Sequence, residues 1–276
     1  MCVSVVTPSY RSGKWLRLCI ASVADQGVEV EHIVQDAGSD DGTVDWLLAD
    51  ARVRAFVEKD AGMYDAVNRG LRRATGEFCA YLNCDEQYLP GALAAATQCF
   101  RDHPDVDVVF GDVVVVDPTG AYVCHRKVQP PLLHHTWVCH LATLSCAMFF
   151  RRRLIAEEGL LFDPRLRDVG DGDWVLRLLQ RDKRMAVLRR FTSIFTMTGD
   201  NMSVRENARR EARAMRATAP LRTRLLRPAL VLHHRLRRWR AGGYHQKPFS
   251  YALYTLESPE RRVTRQAARP TGRWRG

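Results

Sequence analysis

The chain contains 276 residues, 46% of them hydrophobic and 26% charged, which is the composition of an ordinary globular protein. Its apolar runs are all shorter than the roughly 20 residues that a membrane-spanning helix needs, and it opens on a strand pattern rather than a signal peptide, so we expect neither a membrane span nor secretion. The net charge of the chain is +11, and its positive charge comes from residues 204–276, which contain 19 Lys or Arg and 4 Asp or Glu. Residues 1–203 contain 23 Lys or Arg and 27 Asp or Glu. We therefore expect one domain over residues 1–203 and a basic helical extension over residues 204–276.

The eight cysteines include no Cys-x-x-Cys pair, and several lie within apolar patterns. This distribution is typical of buried, reduced thiols rather than of a disulfide framework. We therefore expect a cytoplasmic protein.

Strand and helix patterns alternate four times in the first part of the chain. The strands are expected at 3–7, 32–35, 54–58 and 78–82, and the helices at 13–25, 43–50, 63–74 and 90–103. Such alternation with short connections predicts a parallel sheet that helices cover on both faces, with the ligand at the carboxyl ends of the strands.

The pattern changes after residue 106. Two extended runs around residues 118–120 predict a hairpin over 106–127. The later elements are expected to be a strand at 147–151, helices at 152–158 and 171–181, and short strands at 185–188 and 192–197. The fold is therefore expected to be α/β, with a mixed, mainly parallel sheet flanked by helices.

The extension contains an apolar stripe at helical spacing, flanked by arginines. The stripe consists of Leu225, Ala229, Leu232, Leu236 and Trp239. Two interpretations are open: the stripe packs on its own domain, or it lies on an anionic membrane surface, where each Lys or Arg contributes roughly 1 kcal/mol. Nucleic acid is not an expected partner, because the basic stretch lacks interleaved aromatic residues and any helix-turn-helix or zinc-finger pattern.

Oxygen-bearing side chains follow the expected strand at 78–82. Asn83, Asp85 and Glu86 come directly after this apolar run, so they are expected at the carboxyl edge of the sheet. Hard oxygen ligands suit Mg²⁺ or Mn²⁺ holding a diphosphate. This segment therefore predicts a site for a metal and a phosphorylated substrate.

Five blocks, taken in order, resemble the family 2 glycosyltransferases of the GT-A fold. They are residues 3–10 (VSVVTPSY), 36–43 (DAGSDDGT), 58–70 (EKDAGMYDAVNRG), 74–77 (ATGE) and 82–86 (LNCDE). The resemblance implies an inverting transfer of a sugar from a nucleotide-diphosphate sugar to an acceptor hydroxyl.

The resemblance also implies which residues line the donor pocket. They are Thr7, Pro8, Tyr10, Asp36, Glu58, Asp60, Asp65, Asn68, Asn83 and Asp85. For Asp36 and Asp41 the alternative is that the side chains organise a turn or cap the following helix, as Asp often does in loops of this composition.

The family places a divalent cation on an Asp-x-Asp signature, and this chain has Asn83-Cys84-Asp85 at that place. The first acid is thus an amide, which leaves Asp85 as the metal ligand. Because Mg²⁺ needs only one or two protein carboxylates and keeps several waters, the site remains compatible with Mg²⁺ or Mn²⁺.

An inverting displacement needs a carboxylate that accepts the proton of the attacking hydroxyl. Residues 170–177 resemble the acidic segment of the family, in which an Arg lies six residues after the base; this spacing selects Asp171, with Arg177 as the Arg. Asp173 is the alternative base, and either Asp could instead cap the helix. The resemblance further assigns His140, Asp173 and Arg177 to contacts with the acceptor or a phosphate.

The leading hypothesis is therefore a metal-dependent glycosyltransferase of polysaccharide or glycolipid assembly. Its acceptor is expected to be a saccharide or a lipid-linked molecule, and its location peripheral on the inner face of the cell membrane. The alternative is a catalytically inactive protein that binds sugar nucleotides on the same fold. A dinucleotide-dependent oxidoreductase is disfavoured because no Gly-x-Gly-x-x-Gly follows the first strand.

Overall fold

A computed structural model describes residues 2–138, 141–199 and 206–273. The strands are β1 (Val3–Ser9), β2 (Val30–Asp36), β3 (Arg54–Val57), β4 (Phe78–Tyr81), β5 (Glu86–Tyr88), β6 (Val108–Val116), β7 (Tyr122–Arg126), β8 (Met148–Arg151), β9 (Met185–Thr196), β10 (Phe249–Thr255) and β11 (Ser258–Ala267). The helices are α1 (Gly13–Ala24), α2 (Thr43–Leu47), α3 (Met63–Arg73), α4 (Ala92–Asp102), α5 (Leu133–Val138), α6 (Arg153–Ala156), α7 (Gly170–Leu179), α8 (Glu206–Ala217), α9 (Leu221–Leu225) and α10 (Arg227–Arg240).

Within these described residues, one mixed sheet has the strand order β3-β2-β1-β4-β8-β6-β9-β5, and β7 pairs with β6. The pairs β3-β2, β2-β1, β1-β4 and β6-β9 are parallel, and they account for most of the paired residues. Strands β8, β7 and β5 pair antiparallel to their neighbours. The carboxyl ends of β1 to β4 therefore lie along a single edge of the sheet.

Helices cover both faces of the sheet, which explains why its central strands are apolar on both sides. On one face, Val67 of α3 and Trp174 of α7 pack in a core with Phe150. On the other face, Val23 of α1 and Phe100 of α4 pack in a second core. Every residue of β6 is buried, as expected for a strand covered on both faces.

The predicted alternation of strands and helices is confirmed over residues 3–103, and so is the hairpin of β6 and β7. Two features of the main sheet differ from the expectation. The two short strands expected near 185–197 form one strand, β9, whose pairing with β6 passes over register shifts beside Gly111 and Asp112. Strand β5, which begins at Glu86, was not expected, because three residues carry too little pattern to predict a strand.

The C-terminal part contains the expected basic helices, α8 to α10, and ends in a hairpin of β10 and β11 that was not expected. Tyr251 and Leu253 of this hairpin are buried against Val114 and Ile194 of the main sheet. The alternating apolar residues at 249–253 could have predicted the first strand of this hairpin. The expected domain boundary at residue 203 lies outside the described residues. In the described part of the chain, no helix is both long and apolar enough to cross a bilayer.

Candidate active site

A cavity of about 2170 Å³ opens at the carboxyl edge of β1 and β4. Its walls come from distant parts of the chain: the loops after β1, β3 and β4, the N-terminal turn of α7, and α5 and α8. Asp85 and Asp171, the expected metal ligand and base, both line this cavity.

The segment from Asn83 to Glu86 turns away from the end of β4 into β5. The buried Glu86 carboxylate accepts a hydrogen bond from the backbone N–H of Asn83 at 2.9 Å, which closes the turn. This contact fixes the backbone that carries the side chains of Asn83 and Asp85 at the cavity wall.

The two adjacent carboxyl groups share a poorly solvated position. Burial raises the pKa of Glu86 to about 8, and the charge of Asp85 adds to the shift. Burial also raises the pKa of Asp85. Because the half-buried Asp85 and the buried Glu86 repel each other when both are ionised, a bound cation would offset the negative charge at this wall of the cavity.

The donor set fits a divalent cation that is shared with a ligand. The side-chain oxygen Oδ1 of Asn83 is buried and accepts no hydrogen bond from any residue that the structure describes, which is costly unless another group engages it. Amide and carboxylate oxygens are ligands that Mg²⁺ and Mn²⁺ accept. Over residues 2–138, 141–199 and 206–273, however, no three His, Cys, Asp or Glu side chains are grouped to hold a metal. The described residues alone would therefore supply only a partial ligand set, Asn83 and Asp85.

Asp171 lies in the first turn of α7 and lines the cavity. Its Oδ1 accepts hydrogen bonds from the N–H of Gly172 at 2.8 Å and from the hydroxyl of Tyr64 at 3.5 Å. Burial raises the pKa of this carboxyl, and the hydrogen bonds oppose the shift. A carboxyl with a raised pKa is a stronger base than an exposed Asp, as proton abstraction from a hydroxyl requires.

Tyr64 approaches α7 so closely that the helix must begin with a glycine. A Cβ atom added to Gly170 would lie 2.5 Å from Cε2 of the Tyr64 ring. The ring is buried and stacks on Phe162 at 5.6 Å between centroids, so it has little room to move.

The alternative base, Asp173, does not line the cavity. Its carboxylate forms a salt bridge with Arg177 at 2.7 Å, and Arg177 also donates to the carbonyl of Leu161 at 2.8 Å. The two residues expected to contact the acceptor thus hold each other on the side of α7. His140, the third such residue, lies outside the described residues.

The expected donor-binding residues fall into two groups. Those that line the cavity are Pro8, Tyr10, Asp60, Asn83 and Asp85. Those whose side chains are engaged elsewhere are Thr7, Asp36, Glu58, Asp65 and Asn68.

Asp36 is completely buried, and both its oxygens are occupied. Oδ1 accepts the backbone N–H groups of Gly38 and Ser39, at 2.9 and 2.6 Å, and Oδ2 accepts the hydroxyls of Ser9 and Ser39, at 2.7 and 2.8 Å. In this structure Asp36 organises the loop, which was the alternative that the sequence left open, and its contact with the donor stays a prediction. A nucleotide reaching this carboxylate would have to displace one of these hydrogen bonds.

Asn68 also has a supporting position. Its amide donates to the carbonyl of Phe162 at 2.8 Å and accepts the N–H of the same residue at 2.9 Å, so it ties α3 to the segment before α7. Thr7 contacts the buried His32 at 2.9 Å. Glu58 pairs with Arg73 at 2.6 Å, and Asp65 with Arg69 at 2.9 Å.

Two features of the site were missed at the level of sequence: cationic side chains in the cavity and a supporting carboxylate outside it. Cationic side chains, among them Lys59 and Arg167, line the cavity. The guanidinium of Arg167 donates to the carbonyl of Ala61 and lies against Gly62, whose φ of 131° suits only glycine. Lys59 lies next to residues that were expected to bind the donor, so the sequence could have indicated it. Nothing in the sequence links Arg167 to residue 61.

The second missed feature is the carboxylate of Glu211 in α8. Its carboxylate accepts the backbone N–H groups of Arg167, Asp168 and Val169 at 2.9, 3.0 and 3.2 Å. These are the residues immediately before α7, so a helix of the C-terminal extension holds the segment that leads to Asp171.

Comparison with known proteins agrees with this architecture. The family model for glycosyl transferase family 2 matches residues 4–160. A PGL/p-HBAD biosynthesis glycosyltransferase of Mycobacterium bovis is 28% identical over 248 residues, which cover 86% of this chain and 90% of the relative.

Solved structures share the fold. S. aureus TarS, residues 1–349 in complex with UDP-GlcNAc, superposes with a TM-score of 0.62 at 20% identity, covering 87% of this chain and 73% of that one. The mannosyltransferase PcManGT of Pyrobaculum calidifontis, in complex with GDP-Man and Mn²⁺, superposes with a TM-score of 0.57 at 19% identity, covering 85% and 69%.

The expected GT-A fold is thereby confirmed. The matched family region contains the sheet edge and the Asn83 to Glu86 segment, and the mycobacterial relative is itself a glycosyltransferase. These findings favour an enzyme over the inactive binding protein. The chain belongs to glycosyl transferase family 2 and is a glycosyltransferase.

Proposed function

We propose that the enzyme is an inverting glycosyltransferase that moves a sugar from a nucleotide-diphosphate sugar to an acceptor hydroxyl. The observation that carries the proposal is the placement of Asp85 and Asp171 on the walls of a single cavity, contributed by the ends of β4 and the start of α7. Asp85 then helps to bind the leaving nucleotide diphosphate, and Asp171 activates the attacking hydroxyl.

The transfer would proceed as a direct displacement. Asp171 accepts the proton of the acceptor hydroxyl, whose oxygen attacks the anomeric carbon on the face opposite the diphosphate. The bond between that carbon and the phosphate oxygen breaks, the electron pair leaves with the nucleotide diphosphate, and the configuration inverts. The proton remains on Asp171, and the raised pKa of this carboxyl favours its uptake.

Asn83 and Asp85 would hold a Mg²⁺ or Mn²⁺ ion together with the donor diphosphate. Such an ion neutralises charge that develops on the departing diphosphate. Lys59 and Arg167, which also line the cavity, add positive charge for the same phosphates.

The nature of both substrates is inferred from the cavity and from the similar proteins. TarS was solved with UDP-GlcNAc and PcManGT with GDP-Man, so we propose a nucleoside-diphosphate hexose as the donor. The cavity exceeds the roughly 300–1,000 Å³ of an ordinary ligand pocket, which leaves space for an acceptor beside the donor.

The acceptor side of the cavity is partly apolar. Its wall includes Trp137, Leu141, Leu144 and Met215. These side chains suit an acceptor with an apolar portion, and the relative named for PGL/p-HBAD biosynthesis points in the same direction. We therefore propose a glycolipid or related lipid-linked acceptor of the cell envelope in preference to a plain saccharide. Peripheral attachment of the protein to a cytoplasmic membrane surface is a separate proposal.

Thermal stabilisation by donors tests the proposed function. The protein is melted with UDP, GDP, dTDP and CDP sugars, each with Mn²⁺ and with EDTA, because a ligand that binds only the folded state raises the melting temperature by mass action. We expect one donor class to stabilise the wild type in a metal-dependent manner. Asp85→Ala should lose the metal-dependent part, whereas Asp102→Asn, on the exposed end of α4, should retain it.

Stabilisation by no donor, or a metal-dependent shift that Asp85→Ala leaves intact, would contradict the proposal. The product stereochemistry gives a further check, since ¹H NMR of the transferred sugar distinguishes inversion from retention.

A further inference from the structure

The exposed apolar side chains of this protein are concentrated in one segment. Half of the large hydrophobic residues that are exposed among the described residues lie in α9, α10 and the residue between them. We call these six the outer face: Leu221, Leu225, Leu226, Leu232, Leu236 and Trp239. Leu232 and Trp239 are each 68% exposed, so this face is not part of the protein core.

Helix α10 is docked by its polar side. His233 contacts His135 of α5, with 3.2 Å between their ring nitrogens, and His234 is buried. Arg237 donates to the carbonyl of Pro130 at 3.0 Å. An amphipathic helix that packs on its own domain normally buries its apolar side. Helix α10 instead turns its polar side to the domain and its apolar side to solvent. The interpretation that the stripe packs on its own domain is therefore wrong.

The charge around the outer face favours one kind of partner over the others. Residues 221–240 contain seven arginines and no acidic residue. A second copy of the chain would bring two such surfaces together, and like charges would oppose the contact. Nucleic acid would satisfy the arginines yet leave the leucines in water. An anionic bilayer satisfies both, because lipid phosphates pair with arginine while the apolar side chains enter the boundary between headgroups and acyl chains.

We propose that the outer face binds to the surface of an anionic lipid bilayer. Leu225, Leu232 and Trp239 enter the headgroup region, and flanking arginines such as Arg224 and Arg235 contact lipid phosphates. Trp239 suits this depth, because an indole ring places its apolar body in lipid and its N–H toward water.

The helix on which α10 is docked forms part of the cavity wall. Helix α5, which contacts α10, contributes Trp137 and Val138 to the cavity, and α8 contributes Met215. Membrane docking would thus hold the apolar side of the cavity beside the bilayer. This consequence rests on the proposed function, whereas the docking itself does not.

Vesicle flotation of the full chain tests the proposal. The vesicles are pure phosphatidylcholine or phosphatidylcholine with phosphatidylglycerol, at low and high salt. We expect binding to the anionic vesicles that weakens with salt. The double variant L232S/W239S should weaken it by at least about tenfold, since each side chain loses apolar burial.

The matched control is Leu48→Ser, which removes a leucine that is 62% exposed at the end of α2, remote from the outer face in sequence. It should bind as the wild type does. Circular dichroism and melting temperature establish that all variants are folded, which is expected because the changed side chains are exposed. The blue shift of tryptophan fluorescence on vesicle addition should also be smaller in the double variant.

Three results would overturn the proposal. The first is equal binding of the wild type and L232S/W239S to anionic vesicles, or no binding by either. The second is a wild-type protein that is dimeric in analytical ultracentrifugation and a double variant that is monomeric, which would show that the outer face binds a second copy of the chain. The third is duplex DNA displacing the protein from vesicles. None of these readouts involves sugar transfer, so the proposed function and the docking can fail independently.

Discussion

The hydroxyl of Tyr64 contacts both the backbone and the side chain of Asp171: it accepts the N–H of Asp171 at 3.1 Å and lies 3.5 Å from Oδ1. Tyr64 belongs to α3, which packs on the parallel half of the sheet, whereas Asp171 begins α7. A buried tyrosine thus fixes the proposed base relative to the sheet edge that carries Asp85.

Replacing the proposed base should abolish transfer without abolishing donor binding. Asp171→Asn keeps the shape of the side chain but cannot accept a proton at catalytic pH, so kcat should fall by about 10²–10⁴-fold. Steady-state kinetics and donor-induced thermal shifts measure the two effects. Asp173→Asn serves as the comparison, because Asp173 is paired with Arg177 outside the cavity, and it should lower kcat only a few-fold. Full turnover by the Asp171 variant would remove Asp171 from its assigned role.

Two glycines in α7 offer a matched test of the Tyr64 contact. Gly170→Ala places a methyl group 2.5 Å from the Tyr64 ring, which should destabilise the fold by about 1–3 kcal/mol and displace Asp171. Gly172→Ala meets no atom within 4 Å and should stabilise by about 0.5–1 kcal/mol. Urea unfolding measures both. If the two variants unfold alike, the close approach of Tyr64 does not constrain α7.

Loss of the Glu211 carboxylate should reduce turnover more than donor affinity. Glu211→Ala leaves three backbone N–H groups before α7 without their acceptor, so Asp171 is held less firmly, and we expect kcat to fall by about 10- to 100-fold with little change in KM for the donor. Glu211→Gln, which keeps an amide oxygen, should recover part of the loss. The exposed Glu206 of the same helix provides the control, and an equal loss in Glu206→Ala would show that α8 as a whole is responsible.

Glu86 should make the stability of the metal-free protein depend on pH. Its pKa in the folded state is about 8, above the ordinary value of 4.5, so between these values the folded state keeps a proton that the unfolded state releases. Stability from this group is therefore present at low pH and declines as pH rises toward 8. Glu86→Gln should lack this loss, and its melting temperature relative to the wild type should rise by at least about 3 °C between pH 5 and pH 8.

Melts in EDTA measure that difference, with the exposed Glu157→Gln as the control. A difference that stays constant across this pH range would show that Glu86 does not carry a raised pKa.

Local patterns were sufficient for strands β1 to β4 and β6 to β8, for most helices, and for Asp85 and Asp171 as candidate residues. The apolar run that ends at Asn83 and the acidic segment at 170–173 each span only a few residues, and parallel strands necessarily bring their carboxyl ends to one edge. Local patterns were insufficient for Asp36 and Asn68. Their side-chain types fit donor binding, but tertiary contacts to the loop after β2 and to Phe162 occupy their polar atoms.

By itself, the sequence determined the family resemblance, the α/β alternation and the positions of Asp85 and Asp171, because each depends on residues close together in the chain. Only the tertiary structure decided which polar groups face the cavity, since Tyr64 reaches Asp171 across 107 residues and Glu211 reaches Arg167 across 44. It also decided that the stripe of α10 faces outward. Periodicity shows that a helix has an apolar side. Whether that side packs on the domain or faces solvent depends on how the other elements of the chain are arranged.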